Sequence, residues 1–278
     1  MRGRWLAVAF LGGVLLVWGA GSAPLPAAAS GPEWTAARRL NPAMVAFLDP
    51  GLGGRVDLSV TFLDPNPLEL NYVAGYAVPD NGAGAAAVVV ADSRLLFSGG
   101  VEETKSFGYT WGRRWRPGLA AGATVRLVQY QLTVDGVGPT PAERGLGLDF
   151  GVVYQPEERT WAGVAVCDAF DTTLKSDGGS STVIPATVQL TLGRQVSPAL
   201  RLTLEGRDVA AATLEGSSWV AEATLTRGRL SYHAAVTAAA ETGWSAGVTA
   251  ELGQYRVDLT ANGAGARTGG ALGVTVQW

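Results

Sequence analysis

Residues 268–278 read TGGALGVTVQW and stand at the carboxyl end of the sequence. Apolar residues alternate here with small or polar ones, which is typical of a β-strand that has one apolar face. The apolar face carries Leu272, Val274, Val276 and Trp278. The alternation indicates the closing strand of a membrane barrel, although an ordinary sheet strand at the end of a soluble chain fits the same pattern.

The amino-terminal residues favour export. Arg2 and Arg4 precede an apolar stretch over residues 6–18, and Ala27 and Ala29 flank an A-x-A cleavage site. The apolar stretch is shorter than the roughly 17–25 residues of a spanning helix. The sequence therefore predicts a cleaved signal peptide at residues 1–29, with an uncleaved anchor as the alternative.

Composition separates the chain from ordinary soluble domains. Charged residues make up 16% of the sequence and hydrophobic residues 47%, whereas soluble domains carry roughly 25% charged residues. A soluble protein so poor in charge would have difficulty covering its surface, but a lipid-facing barrel would not. The net charge of −3 argues against a polybasic nucleic-acid binder, so no nucleic-acid partner is expected.

Residues able to carry conventional chemistry are scarce. The chain has one cysteine, Cys167, and one histidine, His233, and no Cys/His cluster has metal-ligand spacing. Phosphate-binding, metalloprotease and nucleophile-elbow motifs are absent from the sequence. We therefore expect no enzyme activity, no cofactor and no metal; the one enzymatic alternative, His233 acting with Ser231, would lie within a single strand.

A series of alternating segments fills the rest of the sequence. Each is about ten residues long, the length of a tilted strand that crosses a bilayer, and turn residues separate them. The predicted strands are 55–63, 68–77, 85–93, 104–112, 118–132, 145–154, 159–168, 184–194, 199–209, 217–226, 229–239, 242–251, 254–262 and 269–278. This series predicts an all-β fold, a transmembrane antiparallel β-barrel of 12–14 strands.

The connections support the same fold. Stretches at 133–144, 169–183, 210–216 and 263–268 are long, whereas those at 155–158, 195–198, 227–228 and 252–253 are tight. Outer-membrane barrels have short periplasmic turns and longer external loops. An even strand count would then place both termini, and all four tight turns, in the periplasm. The connections at 64–67 and 240–241 are short although they should be external.

Charges within the strands fall opposite the apolar faces. A soluble sandwich would point them to water, but the low total charge favours a barrel lumen. We predict that they form an ionic ladder along the lumen and that the pairing is mainly structural. Its members would be Arg126, Asp149, Arg201, Glu205, Arg207, Glu222, Arg256 and Asp258.

Asn41-Pro42-Ala43 resembles the NPA motif of FadL-type outer-membrane transporters of hydrophobic compounds and of the related PorV-like proteins. The resemblance implies a hatch or plug segment at residues 30–54 that folds into the lumen, followed by the barrel at residues 55–278. The three motif residues would then bond the neighbouring backbone, fix the local turn and allow close wall contact. A simple Asn-Pro turn leading into the first strand is the alternative.

The resemblance also implies location and function. It implies a bacterial outer-membrane protein that forms a channel or transporter for small hydrophobic or amphipathic molecules; a non-conducting, partner-binding barrel like the PorV group is the alternative. Expected partners are outer-membrane lipid, a hydrophobic small-molecule ligand and the barrel-assembly machinery. The assembly machinery would recognise Leu272, Val274, Val276 and Trp278.

Overall fold

The structure is a computed structural model, and it describes residues 41–47, 54–63, 68–78, 84–157, 159–179, 181–209, 217–239, 242–264 and 267–277. The predicted signal peptide, the remainder of the predicted hatch segment and Trp278 lie outside the described residues. Within these ranges, no helix is long and apolar enough to cross a membrane.

Nearly all of the described residues lie in strands, preceded by one 3-10 helix at Pro42–Phe47. The strands are β1 (Gly54–Leu63), β2 (Leu68–Val78), β3 (Ala85–Phe97), β4 (Gly100–Arg116), β5 (Leu119–Val134), β6 (Gly138–Pro139), β7 (Glu143–Glu157), β8 (Thr160–Cys167), β9 (Thr172–Lys175), β10 (Ser181–Ile184), β11 (Thr187–Gln195), β12 (Leu200–Arg207), β13 (Ser218–Arg227), β14 (Leu230–Ala238), β15 (Gly243–Leu252), β16 (Tyr255–Ala264) and β17 (Arg267–Gln277).

Fourteen of these strands close into one antiparallel barrel, as the sequence predicts. Each pairs with the next long strand along the chain, and β17 returns to pair with β1. In this closing pair Leu58 lies opposite Val274 and Val60 lies opposite Leu272. The terminal segment is therefore the strand that closes the barrel. The short strands β9 and β10 extend the hairpin made by β8 and β11.

The two faces of the wall separate apolar from polar residues. Large apolar side chains point outward and are strongly exposed; Leu127 and Leu259, for example, each expose 57% of their surface. Their neighbours along each strand point inward, because successive side chains of a strand face opposite sides. A continuous apolar exterior is stable against lipid. The predicted faces of the strands are thereby confirmed.

The wall is not equally tall all round. Strands β4, β5 and β7 have 17, 16 and 15 residues, whereas β12 and β14 have 8 and 9. The sequence predicts only residues 104–112 for β4, because charged residues interrupt the outward apolar pattern at both of its ends. Backbone pairing with β3 and β5 continues past those charges.

The connections sort by end only in part as predicted. The four tight turns lie at residues 158–159, 196–199, 228–229 and 253–254, all at the end of the barrel where β1 begins and β17 finishes. At the opposite end the connections 135–142, 168–186 and 208–217 are longer, but 64–67, 98–99, 239–242 and 265–266 are short. The sequence predicts a long connection at 263–268, whereas strands β16 and β17 leave only residues 265–266 between them. Residues 64–67, 240–241 and 265–266 lie outside the described residues. Assignment of the first end to the periplasm remains a prediction.

Candidate pathway through the barrel

Residues 41–47, here called the inner segment, pack against the inner face of the wall. The segment turns into the 3-10 helix Pro42–Phe47 and contacts β3, β4, β5 and β7 near the end of the barrel that holds the tight turns. Proline suits the first position of a helix, where its missing N–H is not needed. Pro42, Ala43, Val45 and Ala46 are all buried. The inner segment therefore lies where the resemblance to hatch-containing barrels implies.

The inner segment packs against a row of three glycines in the wall, here called the glycine seat. Gly112, Gly122 and Gly151 lie directly opposite one another on β4, β5 and β7. A Cβ atom on Gly122 would lie 2.5 Å from the carbonyl carbon and oxygen of Pro42, and one on Gly112 would lie 2.5 Å from Val45 Cγ1. Only glycine allows the wall and the segment to approach so closely.

Asn41 fastens the start of the segment to the wall. Its side-chain Nδ2 donates hydrogen bonds to the carbonyl oxygens of Val152 on β7 (2.9 Å) and Val164 on β8 (2.8 Å). Its Oδ1 accepts a hydrogen bond from the backbone N–H of Ala43 (3.0 Å), as a helix cap does. Asn41 thus bonds the neighbouring backbone, in the manner expected of the first residue of the motif.

Arg114 holds the other end of the segment. Its Nε donates to the carbonyl oxygen of Ala46 (2.9 Å), and its guanidinium lies 4.5 Å from the centre of the Phe47 ring. A cation over an aromatic ring adds about 0.5–2 kcal/mol. The sequence places Arg114 in a turn at the barrel edge, but it lies within β4, on the inner face. Arg114 lies two residues after Gly112 and therefore on the same face of β4. This spacing could have identified it as an inward-facing residue.

Two apolar clusters complete the contact. Ala43 and Ala46 pack with Ala120 of β5 and Val153 of β7, bordered by Met44, Phe47 and Trp161. Val45 packs on the other side with Ala77, Ala85 and Ala87. The small wall residues let the 3-10 helix pack closely against the sheet.

Above Val45, the inner face of β2 and β3 is apolar as far as the facing pair Asn71 and Ser93. Its facing pairs are Val73 with Ala91, Gly75 with Val89, and Ala77 with Ala87. We call these six residues the apolar strip. Val73, Ala77, Ala87 and Ala91 are each less than 7% exposed. The strip is not apparent in the sequence, because small residues on both faces of β3 hide the alternation.

A buried ion cluster lies on the neighbouring wall. Arg126 Nε donates to Asp149 Oδ2 (2.8 Å), and Arg126 Nη2 donates to Asp168 Oδ1 (2.8 Å). Asp149 is 4% exposed and Asp168 is fully buried. The backbone N–H of Asp168 also donates to Asp149, and Thr172 donates its hydroxyl to Asp168. The cluster thus joins β5 and β7 to the loop that follows β8.

Asp168 is a member that the sequence did not reveal. It ends the predicted strand 159–168, but it lies just past β8 with a φ of 50°. That left-handed conformation turns the chain toward Thr172 and brings the carboxylate under Arg126. Aspartate tolerates this conformation better than most residues.

The remaining predicted ladder residues lie on the inner face across β12, β13 and β16. Arg207 bonds Glu205 at 2.8 Å, and Arg256 bonds Asp258 at 3.2 Å. Arg201 lies opposite Thr224, and Glu222 lies opposite Thr203. The described ion pairs are local, each within one strand, and a role of these residues in a pathway remains a prediction.

His233 and Ser231 share the inner face of β14 but have separate partners. His233 Nε2 shares a hydrogen bond with Thr260 Oγ1 (3.1 Å), and Ser231 shares one with Thr226 (3.0 Å). The imidazole also lies over Gly247, directly opposite on β15. These are contacts of wall residues. Among the described residues, no group of three or more His, Cys, Asp or Glu side chains could hold a metal ion.

The predicted assembly residues lie on the outer face of β17. Leu272 and Val274 are 46% and 37% exposed, and Val276 follows them on the same face. Trp278 falls outside the described residues. Recognition of this strand by an assembly machinery remains a prediction.

Comparison with solved structures shows the same barrel in other proteins. The chain is similar to the CymD monoaromatic hydrocarbon channel, at 12% identity and a TM-score of 0.59, over 86% of this chain and 91% of that one. It is also similar to the Pseudomonas putida toluene transporter TodX, at 11% identity and a TM-score of 0.56, over 85% and 91% of the two chains. The TodX deltaS2S3 mutant gives a TM-score of 0.57 at 11% identity, over 85% and 92%.

No protein-family model and no curated protein sequence matches the chain. At this identity the solved structures establish the fold: a barrel of the architecture found in these outer-membrane channels. The fold-level resemblance to channels for hydrophobic compounds is thereby confirmed. The three neighbours are transport channels and not enzymes.

Proposed function

We propose that this protein is an outer-membrane channel for small hydrophobic molecules, of the size and polarity of monoaromatic hydrocarbons. The proposal is supported by the fold shared with CymD and TodX, which are described as channels for such compounds. A protein reaches that location only after export, so residues 1–29 are assigned to a signal peptide and residues 30–54 to a hatch.

The apolar strip carries the proposal. It is a stretch of inner wall without charge on β2 and β3, and most of its residues are buried in this structure. Strands β12 to β16, in contrast, present ion pairs and hydroxyls. An apolar solute gains roughly 25 cal/mol for each Å² that it removes from water. A solute entering the lumen would therefore follow the strip and leave the polar wall hydrated.

The inner segment controls this path in the proposed mechanism. Val45 covers the lower end of the strip, where it packs on Ala77 and Ala87. Within residues 41–47, the side-chain hydrogen bonds that the structure describes between the segment and the wall are those of Asn41 and Arg114. A displacement that breaks those bonds would uncover the strip without disturbing the pairing of the wall strands.

Uptake of toluene by cells that express the full chain tests the proposal. Val89→Asp places a carboxylate on the strip, while Ser245→Asp places one on the inner face of β15 as the matched control. We expect uptake to fall about tenfold or more with Val89→Asp and to change little with the control, because an apolar solute cannot solvate the charge. Equal uptake by both variants and the parent would contradict the proposal.

A partner-binding barrel is the second candidate. It is favoured by the covered lower end of the strip and by exposed apolar residues at the far end, Phe97 (39%) and Val137 (85%). Planar-bilayer conductance of the refolded chain, with and without residues 30–54, separates the two. Conductance that rises when the segment is removed supports the channel, and its absence in both forms leaves the partner-binding barrel.

A further inference from the structure

The tall part of the wall carries a row of hydrogen-bond donors on its outer face. Lys105, Gln129, Arg144 and Lys175 lie directly opposite one another on β4, β5, β7 and β9. We call these four residues the donor row. With neighbouring strands about 4.8 Å apart, the row spans about 14 Å.

The donor row directly follows the lipid-facing surface. Two residues closer to the middle of the same strands lie Phe107, Leu127 and Leu146, which face outward and are 46%, 57% and 54% exposed. Two residues of a strand cover about 6.6 Å. An apolar band therefore ends at this row, which places the donors at the depth of lipid headgroups.

The contacts within the row keep donors pointing outward. Arg144 Nε donates to Gln129 Oε1 (3.2 Å), which occupies the one acceptor of the row and turns the amide N–H groups of Gln129 away from Arg144. Lys105 donates to Glu103 (2.8 Å), and an ammonium has two further N–H donors. In the described contacts the guanidinium of Arg144 uses only its Nε.

The net positive charge of the donor row increases from the β3 side toward β9. At the β3 end, Asp92 and Glu103 are bound by Arg94 at 3.2 Å and 2.9 Å, so that end is nearly neutral. Across β5, β7 and β9, the row contributes two cations, Arg144 and Lys175, and no carboxylate bonds to either in the described contacts. Guanidinium and ammonium groups together bind phosphate strongly.

From this arrangement we infer that the donor row binds the phosphate groups of membrane lipid headgroups, with the acyl chains of the same lipid lying on Phe107, Leu127 and Leu146. The occupant is a phosphate-bearing lipid, because only an amphiphile satisfies the donors and the adjoining apolar row together. In the described part of the chain, the opposite wall has no comparable row of donors. The outer faces of β14 and β15 end in Ala238 and Trp244 and carry no charged side chain. The inference requires a bilayer around the barrel but not a conducting lumen, so it is independent of the transport proposal.

Binding of diphosphorylated lipid A to the refolded full chain in detergent, measured by native mass spectrometry, tests the inference. The variant Lys105→Gln with Arg144→Gln removes two charges from the row, and Arg113→Gln with Arg116→Gln removes two exposed charges from the other end of β4. We expect about tenfold weaker binding for the first pair and less than about a twofold change for the control.

Three outcomes would overturn the inference: equal losses in both pairs, unchanged binding of lipid A that lacks its phosphates, or displacement of the lipid by millimolar inorganic phosphate, which would indicate a free-anion site. Heat-modifiable migration checks that each variant is folded. If the double variant does not fold, Lys175→Gln, outside the fourteen long strands, should by itself weaken binding about threefold; no weakening would equally overturn the inference.

Discussion

The two sides of this barrel are built differently from the same kind of strand. The plug-side wall, made of β3, β4, β5 and β7, is tall. It holds the inner segment against its glycines and buries an ion cluster in which one arginine binds two carboxylates. The ladder-side wall, β12 to β16, is short and carries local ion pairs such as Arg207 with Glu205, which are 35% and 20% exposed. Polar groups on the first side join the inner segment and a loop to the wall. On the second side the described ion pairs join residues of one strand, and Thr249 of β15 adds hydrogen bonds with Asp258 and Arg256 of β16.

Removal of Arg126 should give the largest difference between the walls. In Arg126→Met, Asp149 and Asp168 lose the cation that binds both of them while they stay buried. We expect the free energy of unfolding to fall by about 3–5 kcal/mol, against less than about 1 kcal/mol for Arg207→Met on the ladder side. Urea midpoints, followed by heat-modifiable migration, measure both. Equal losses in Arg126→Met and Arg207→Met would contradict the proposed difference between the two walls.

Substitution of Gly122, one of the glycines against which the inner segment packs, should give the next largest loss of stability. A methyl group in Gly122→Ala meets backbone atoms of Pro42 and Ala43, which cannot rotate away. Displacement of the inner segment should cost about 3 kcal/mol and speed hydrogen exchange at the amides of Ala43 and Met44.

Gly108→Ala is the matched control for the seat. Gly108 also faces inward from β4, but its methyl group would meet Arg126 Cγ at 3.5 Å, an ordinary contact. Exchange at the same amides should stay at the parent rate. If Gly108→Ala accelerates exchange as much as Gly122→Ala, the seat has no special role.

Loss of the Asn41 side chain should have a smaller effect on the same segment. Asn41→Ala removes the bonds to Val152 and Val164 and the cap on Ala43. Each bond to the wall contributes about 1 kcal/mol, so the free energy needed to release the segment should fall by about 2 kcal/mol. Hydrogen exchange of the segment measures this. Asn71→Ala, on the inner face of β2, should leave it unchanged; a change of similar size would contradict the anchoring role.

The smallest effect is expected on the ladder side. Thr260→Val removes the hydroxyl that shares a hydrogen bond with His233. We expect a loss of about 1 kcal/mol in the free energy of unfolding, with no change in exchange of the inner segment. Ser245→Ala on β15 serves as the control in the same urea titrations. A loss as large as that of Arg126→Met would show that the ladder-side wall is equally organised.

The strand count and the faces of the strands followed from the sequence. All fourteen predicted segments are strands, because alternation with a period of two is local to each segment and gives each strand one apolar face. Prediction was poorest at the ends of β4, where outward charges interrupt the pattern although the backbone remains paired.

The candidate pathway was only partly predictable. Asn41, the Arg126–Asp149 pair and the inward direction of Arg114 could be derived from motif and parity. Asp168 and the partner of Arg114 could not, since both contacts join residues distant in sequence. Arg114 bonds a carbonyl 68 residues away, and Arg126 bonds Asp168 across 42 residues. No local period encodes such distances.

The sequence by itself determined that the chain forms strands, which face of each is apolar, and that its last described residues form one more strand of the series. The tertiary structure decided what those strands enclose. Ring closure sets the register, and the register places Gly112, Gly122 and Gly151 in one row that admits the inner segment. It also places Lys105, Gln129, Arg144 and Lys175 in another. Register depends on the pairing of whole strands around the barrel, so it cannot be derived from any single segment.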